Sequence, residues 1–297
     1  MAENRPLIIG DSCADWMDSY YKEHDLFRFR FTYLLDGESK LNNSTEEEAD
    51  HFYHCIENGS DCSTSQVNVH EYISAFEELI QKGRPIIYIC FSSGLSSSYQ
   101  NAVSAAQQVM EEHPEADITV IDTLGASVGE GLALDMAVRM GEAGKSKEEI
   151  IAWMKENILK LHLIYTVNEL KYLKKGGRCT SAAAFFGDML NIQPVMTMSR
   201  DGRLMAFRKE RGRKKVLKAF LEEMEKRVVH PEGQIMSIGY GTCRADAETL
   251  RDMILAKYPD VAEVRLSRIG PVIGAHVGPS VLALFYWGVE RQDVLNA

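Results

Sequence analysis

The chain has 297 residues, 45% of them hydrophobic and 26% charged, and a formal net charge of −10. That balance suits a folded globular protein and excludes a wholly disordered one, and the negative sum argues against nucleic acid, whose phosphates need a concentrated basic surface. Single cores seldom grow past about 250–300 residues, so the length allows one large domain or two ordinary ones.

The N-terminal residues lead into a short apolar run, Leu7 to Ile9. That run is too short for a signal-peptide core. No stretch approaches the ~20 apolar residues that span a bilayer. A cytoplasmic protein with at most transient membrane contact is expected. Cysteines stand at 13, 55, 62, 90, 179 and 243, without a Cys-x-x-Cys pair. A reducing compartment makes them small buried apolar residues rather than disulfides. His51, His54, Cys55 and Cys62 fit no common zinc spacing, so no metal site is assigned.

Residues 6–10 read as a buried strand, and Asp11-Ser12 as a turn or helix cap. The aromatic stretch 27–35 ends at Asp36-Gly37, a hairpin signal. Residues 46–56 and 69–81 have helical composition, with a polar loop, 58–66, between them. A buried strand at 85–91, a Ser/Gly turn at 92–98, a helix at 99–111 and a strand at 117–122 follow. Helices at 126–141 and 147–160 close this half. Strands separated by helices of such length imply a parallel sheet. Ligands bind beyond the carboxyl ends of such strands, so the segments at Asp11, Ser92 and Asp122 are expected on one rim.

The second half begins with a strand at 161–166, a short helix, the Gly176-Gly177-Arg178 turn and a helix at 180–190. A hairpin follows, 193–199 and 203–208 around Asp201-Gly202. Then come a helix at 216–228, a strand at 234–240, a helix at 244–257, and strands near 261–268 and 273–277. This order predicts a mixed sheet with helices on one face. The whole reads as an α/β protein of two domains, 1–162 and 163–297.

Several segments carry groups suited to an anion. In 92–98, hydroxyls and free backbone N–H groups gather at a helix start, a favourable place for a carboxylate or phosphate, although one serine there can simply cap the helix. Thr64-Ser65-Gln66 is a second hydroxyl cluster ahead of a helix. In 274–279, glycines and a proline fix the backbone around His276. Lys174 to Arg178 suits a basic helix C-cap, and Arg211-Gly212-Arg213 precedes a helix. Gly141 to Ser146 ends like a P-loop, but its first glycine should fall at Arg139 and it follows a helix, so it is set aside.

Taken together and in order, these segments resemble the DegV family. The match runs through Ile8-Ile9-Gly10-Asp11-Ser12, Thr64-Ser65-Gln66, Ser92-Ser93-Gly94-Leu95-Ser96 and Val120-Ile121-Asp122-Thr123. It continues through Tyr172 to Arg178, Leu190 to Val195 and His276-Val277-Gly278-Pro279. The resemblance implies two α/β domains holding a long-chain fatty acid between them, the N-terminal one with carboxylate-binding loops. It makes Thr64, Ser65, Ser96 and Ser97 the hydroxyl-bearing ligand residues, with His276 and Gly278 beside them. Arg178 and Arg211 correspond to cleft arginines linked to phosphoryl transfer or partner docking. The implied partner is a separate fatty-acid kinase that makes an acyl phosphate; no cofactor is implied, and the carrier would be non-catalytic. A monomer is expected, although nothing in the sequence fixes the oligomeric state. The sequence departs from the family pattern at Ser97, Val67 and Ser280, where glycine, proline and glycine are usual.

Physical chemistry fits that assignment. About 14 buried methylenes, at ~0.8 kcal/mol each, supply roughly 11 kcal/mol before ordering costs. The carboxylate needs charge-assisted hydrogen bonds, since burying it bare costs several kcal/mol. Phe185, Phe186, Met189, Leu190, Ile192, Met196 and Met198 are the expected tunnel walls. A rival reading is a serine hydrolase: Gly94 to Ser98 approaches Gly-x-Ser-x-Gly, with Ser96, Asp122 and His276 in triad order. The second elbow glycine and an oxyanion segment are missing. A nucleotide-binding enzyme is a third reading, without the Gly-x-Gly-x-x-Gly fingerprint.

Overall fold

The computed structural model describes residues 5–179 and 192–292. The predicted helix at 180–190, with Phe185, Phe186, Met189 and Leu190, lies outside the described residues.

The first half comprises β1 (Leu7–Asp11), α1 (Asp18–Glu23), β2 (Arg28–Phe29), β3 (Thr32–Leu35), β4 (Glu38–Leu41), α2 (Glu46–Glu57), β5 (Cys62–Ser65) and α3 (Val69–Ile80). It continues with β6 (Ile86–Cys90), α4 (Ser98–Glu112), β7 (Ile118–Asp122), α5 (Val128–Glu142) and α6 (Lys147–Asn157). Strands β2-β1-β6-β7 form a sheet in that order, every pair parallel. Strand β6 is buried along its whole length, as expected of a strand covered on both faces. A smaller antiparallel sheet, β4-β3-β5, stands beside it. Its hairpin turns at Asp36 and Gly37, both with positive φ, as a two-residue primed turn requires.

The second half comprises β8 (Leu161–Thr166), α7 (Leu170–Gly176), β9 (Ile192–Met198), β10 (Leu204–Arg211), α8 (Arg213–Glu225) and β11 (Ile235–Tyr240). It ends with α9 (Arg244–Lys257), β12 (Glu263–Arg268), α10 (Pro271–Val277) and β13 (Leu282–Trp287). The sheet order is β10-β9-β8-β13-β11-β12, antiparallel except for β11 with β12. This is the expected parallel sheet followed by a mixed one.

Alternation along β8 and β13 divides the second sheet between two cores. Ile164, Leu282, Leu284 and Tyr286 face α8 and α9, together with Val216, Phe220 and Leu250. Leu163, Tyr165, Ala283 and Phe285 join the other core, shared with the first half. Helix α5 lies between the sheets, against β1 and β6 and also against β8, β11 and β13. It is buried nearly all round, which its apolar sequence permits. Glycines allow the close fit: a Cβ at Gly129 would stand 2.9 Å from Phe285 Cδ1, and one at Gly131 2.6 Å from the Ala14 carbonyl.

Three expectations are corrected. Residues 62–65, placed within a polar loop, form β5, because their backbone pairs with β3. Residues 273–277, placed in a strand, lie in helix α10, which Pro271 starts at its first turn. Strand β13, not anticipated, occupies the middle of the second sheet.

Candidate functional site

A cavity of about 340 Å³ opens where the two sheets face each other. One side is built from loops after β1, β6 and β7, which supply Cys13, Leu95, Ser96, Ala126 and Ser127. These are the carboxyl ends of adjacent parallel strands, the place such sheets bind ligands. The opposite side is a face of the second sheet: Leu163 and Tyr165 from β8 lie against Phe285 and Ala283 from β13. Helix α10 adds Val272, Ile273, His276 and Val277.

The polar groups that meet at the cavity come from four separate segments. Thr64 is the next-to-last residue of β5, and its Oγ1 lies 2.8 Å from His276 Nε2. Ser96 Oγ donates to Ser98 Oγ at 3.0 Å and accepts from the Ser98 N–H at 3.2 Å. Arg178 follows Gly177, whose positive φ ends α7. Its guanidinium donates to the Gly176 carbonyl at 2.7 Å and more weakly to the Leu95 carbonyl at 3.4 Å, and it pairs with no carboxylate among the described residues. Burial, then the charge of Arg178, pushes the His276 imidazole down to about 4. His276 is therefore neutral at pH 7, beside a cation that no carboxylate of the described residues compensates. Such a site can accept an anion: hydroxyls can donate to it, the imidazole backs the Thr64 hydroxyl, and a guanidinium supplies charge.

Thr64, Ser65, Ser96, Arg178 and His276 all line this cavity. Ser65 stands exposed at its mouth, with Gln66. The remaining candidates do not line it. Ser97 is the exposed residue before α4. Gly278 ends α10 at φ +80, and a side chain there would run into the Tyr172 ring, so its role is to let the backbone turn. Arg211 is exposed at the end of β10, opposite Ile192. Among the expected tunnel walls, Ile192, Met196 and Met198 are in β9 and lie off the cavity.

The hydrolase triad is not assembled. Asp122 accepts from the Ser93 and Leu124 N–H groups, and His276 bonds Thr64 rather than Ser96. The rejected P-loop stretch ends in Ser146, which caps α6 in a box with Glu149. Among the described residues, no group of three ligating side chains is disposed to hold a metal ion, and no helix is long and apolar enough to cross a membrane.

Sequence reasoning missed the apolar floor. The signal was present as period-two spacing, Leu163 with Tyr165 and Ala283 with Phe285, but which strands pair is a tertiary fact. It also missed Ser127, whose Oγ donates to Asp15 Oδ2 at 2.5 Å, while Asp15 Oδ1 accepts from the Gly270 N–H at 2.9 Å. Asp15 thus ties the starts of α5 and α10 together, and burial pushes its carboxyl up to about 7. Beside it, Asp11 and Glu130 are fully buried. Burial first and the charge of Asp11 second push Glu130 far above the ordinary carboxylate range.

The DegV family model, described as an uncharacterised protein of that family, matches residues 6–288. A DegV domain-containing protein of Clostridium perfringens is 40% identical over 287 residues, 96% of this chain and 98% of that protein. One of Streptococcus pyogenes is 33% identical over 286 residues, covering 96% and 99%. The solved structure of a DegV lipid-binding protein from Thermotoga maritima superimposes with a TM-score of 0.83 at 28% identity, covering 97% of this chain and all of that one. A DegV family protein from Thermus thermophilus, described by its fatty-acid binding, gives a TM-score of 0.86 at 25% identity over 96% of this chain. By sequence over nearly its whole length and by fold, the chain belongs to the DegV family.

Proposed function

We propose that this chain binds a long-chain fatty acid, its carboxylate at Thr64, Ser96, His276 and Arg178 and its acyl chain along the apolar face of β8 and β13. One observation carries the reading: an otherwise greasy cavity has hydroxyls, a neutral imidazole and a guanidinium without a carboxylate partner among the described residues gathered on it. The fatty-acid binding described for the Thermus thermophilus relative supports it. The hydrocarbon supplies most of the affinity and the polar end fixes orientation.

On this reading the protein is a carrier rather than a catalyst, with two lobes divided near residue 162. It acts in the cytoplasm as a monomer and presents the acid to a separate fatty-acid kinase. Arg211, exposed and off the cavity, would contact that partner on this reading. Native mass spectrometry of the purified chain, followed by extraction of bound lipid, tests the first part; an empty protein that also fails to take up stearic or oleic acid removes it. Adding a fatty-acid kinase and ATP tests the second, with acyl phosphate as the product expected from the loaded chain.

A further inference from the structure

A second cavity, of about 320 Å³, lies near the start of β8 and the end of α8, bounded by His162, Thr197, Lys226, Arg227, Glu290 and Arg291. The fatty-acid reading makes no use of it. Its charges do not balance. Glu223 serves both Lys226 and Arg227 at 2.6 Å, and Glu290 serves Arg200 at 2.6 Å. Arg291 is 4% exposed, and its two terminal nitrogens both donate to one carbonyl, that of Leu124, at 3.1 Å. Among the described residues no carboxylate reaches ion-pair distance of it; Asp122 and Asp201 act on it only from further off. Four cations thus meet two carboxylates, an excess of two positive charges in a chain of net charge −10. Two groups register that field. Burial first and the Arg200 charge second push Arg291 down to about 10. Burial pushes His162 down to about 4, and the charges of Arg227 and Arg291 press it the same way. A buried cation without a counter-charge is costly and favours an anion beside it.

We propose that this second cavity binds a small soluble phosphate monoester, its phosphate held by Lys226, Arg227 and the charge of Arg291. A dianion supplies both missing charges, where a monocarboxylate supplies one. Guanidinium groups match phosphate oxygens, and a lysine adds a point charge. A concave electropositive site also concentrates anions from solution. The carbonyl end of α8 would oppose an anion, but Arg227 closes it by donating to the Glu223 carbonyl at 3.0 Å. Met198 and Val289 give the wall an apolar part for the ester's carbon atoms. Arg291 is too deeply buried for a flat lipid surface to reach, which favours a soluble ester over a lipid headgroup.

The test titrates glycerol 3-phosphate and inorganic phosphate into the full chain at pH 8, where a phosphate monoester is a dianion. The ring resonances of His162 and His276 are followed by NMR, with sodium chloride of matched ionic strength as the control. A saturable shift is expected at His162 and not at His276, which lies on the other cavity. Arg291→Gln should weaken binding about tenfold, the worth of a bond to a charged group. Lys226→Gln should weaken it about threefold, as for an exposed charge. Lys226 is exposed, so its variant tests the site even where loss of Arg291 costs stability. The inference is overturned if His162 does not move, if chloride moves it as far, or if only His276 responds. It is overturned equally if neither variant weakens binding, or if the chain binds phosphatidylglycerol vesicles but no soluble ester.

Discussion

Thr64 and His276 are 212 residues apart in sequence, yet their side chains meet at 2.8 Å on the wall of one cavity. If Nε2 carries the ring proton, the imidazole donates to the hydroxyl and leaves the hydroxyl's own proton for the carboxylate of the proposed ligand. Thr64→Val keeps the shape and removes the donor. Affinity for stearic acid is expected to fall about tenfold or more, the range for a bond to a charged acceptor, with little change in melting temperature. Unchanged affinity in calorimetry would place the carboxylate elsewhere.

The proton balance of His276 depends on Arg178 after burial. Arg178→Gln removes the like charge, so the imidazole pKa is expected to rise from about 4 toward its ordinary 6.5. An NMR titration of the His276 ring reads this directly. In the wild type the unfolded chain takes up this proton near 6.5, before the folded one. Stability from this group is therefore full above that pH and is lost as pH falls toward 4. His162, likewise pushed down to about 4 by burial, adds to the same slope.

Asp15 works in the opposite direction. Its folded carboxyl is pushed up to about 7 against an ordinary 3.8, so its contribution is full at low pH and is lost as pH rises through that window. Asp15→Asn abolishes the titration. The melting temperature of the variant, relative to wild type, should be higher at pH 8 than at pH 5. A difference that does not move with pH would mean that Asp15 is ionised throughout. The groups facing it are Ser127, the Gly270 N–H and, by its charge, Asp11.

The tip of the β9–β10 hairpin sits on the turn after β6. Ser92 Oγ donates to the Gly202 carbonyl at 2.8 Å, and a Cβ at Gly94 would fall on the Asp201 carbonyl and 2.6 Å from that of Gly202. Both obstacles are backbone and cannot rotate away. Gly94→Ala should therefore destabilise by about 2 kcal/mol or more, in the range of strained small-to-large changes, and weaken ligand binding by moving Ser96. Gly144→Ala is the comparison: nothing crowds it, and only its φ of +79 opposes a side chain.

Ala283 faces Tyr165 across the β8–β13 ladder and lines the cavity. Ala283→Leu fills space that a ligand would use, so stearic acid should bind about tenfold weaker while a shorter acid is spared. Stability should hold, because the added carbons enter a void. Equal binding of long and short acids would show that the chain does not cross this floor.

Much of the fold was legible where local and global preferences agree. The Ile86–Cys90 run, the hydroxyl and Asn caps and the Asp36-Gly37 turn all behave as local chemistry dictates. Cys62–Ser65 was not, because short polar residues make a strand only when β3 offers a partner. Residues 273–277 were misread because Val, Ile and a glycine favour a strand or turn, and packing of their helix against α2, α7 and β5 outweighed that propensity. The polar end of the site was legible, through Thr64, Ser96, Arg178 and His276, since hydroxyls and bracketed basic residues are conspicuous. Its apolar wall was not, since Leu163 or Phe285 looks like any core residue until the strands are paired.

The buried carboxyls beside α5 have a consequence for calorimetry. Glu130 is held in its neutral form inside the fold, and unfolding would return it to water, where it ionises. Wherever Glu130 keeps its proton in the fold above the ordinary carboxylate range, denaturation should release that proton into the medium. The apparent heat of unfolding would then differ between phosphate and Tris by the buffers' own ionisation enthalpies, and Glu130→Gln should reduce that difference.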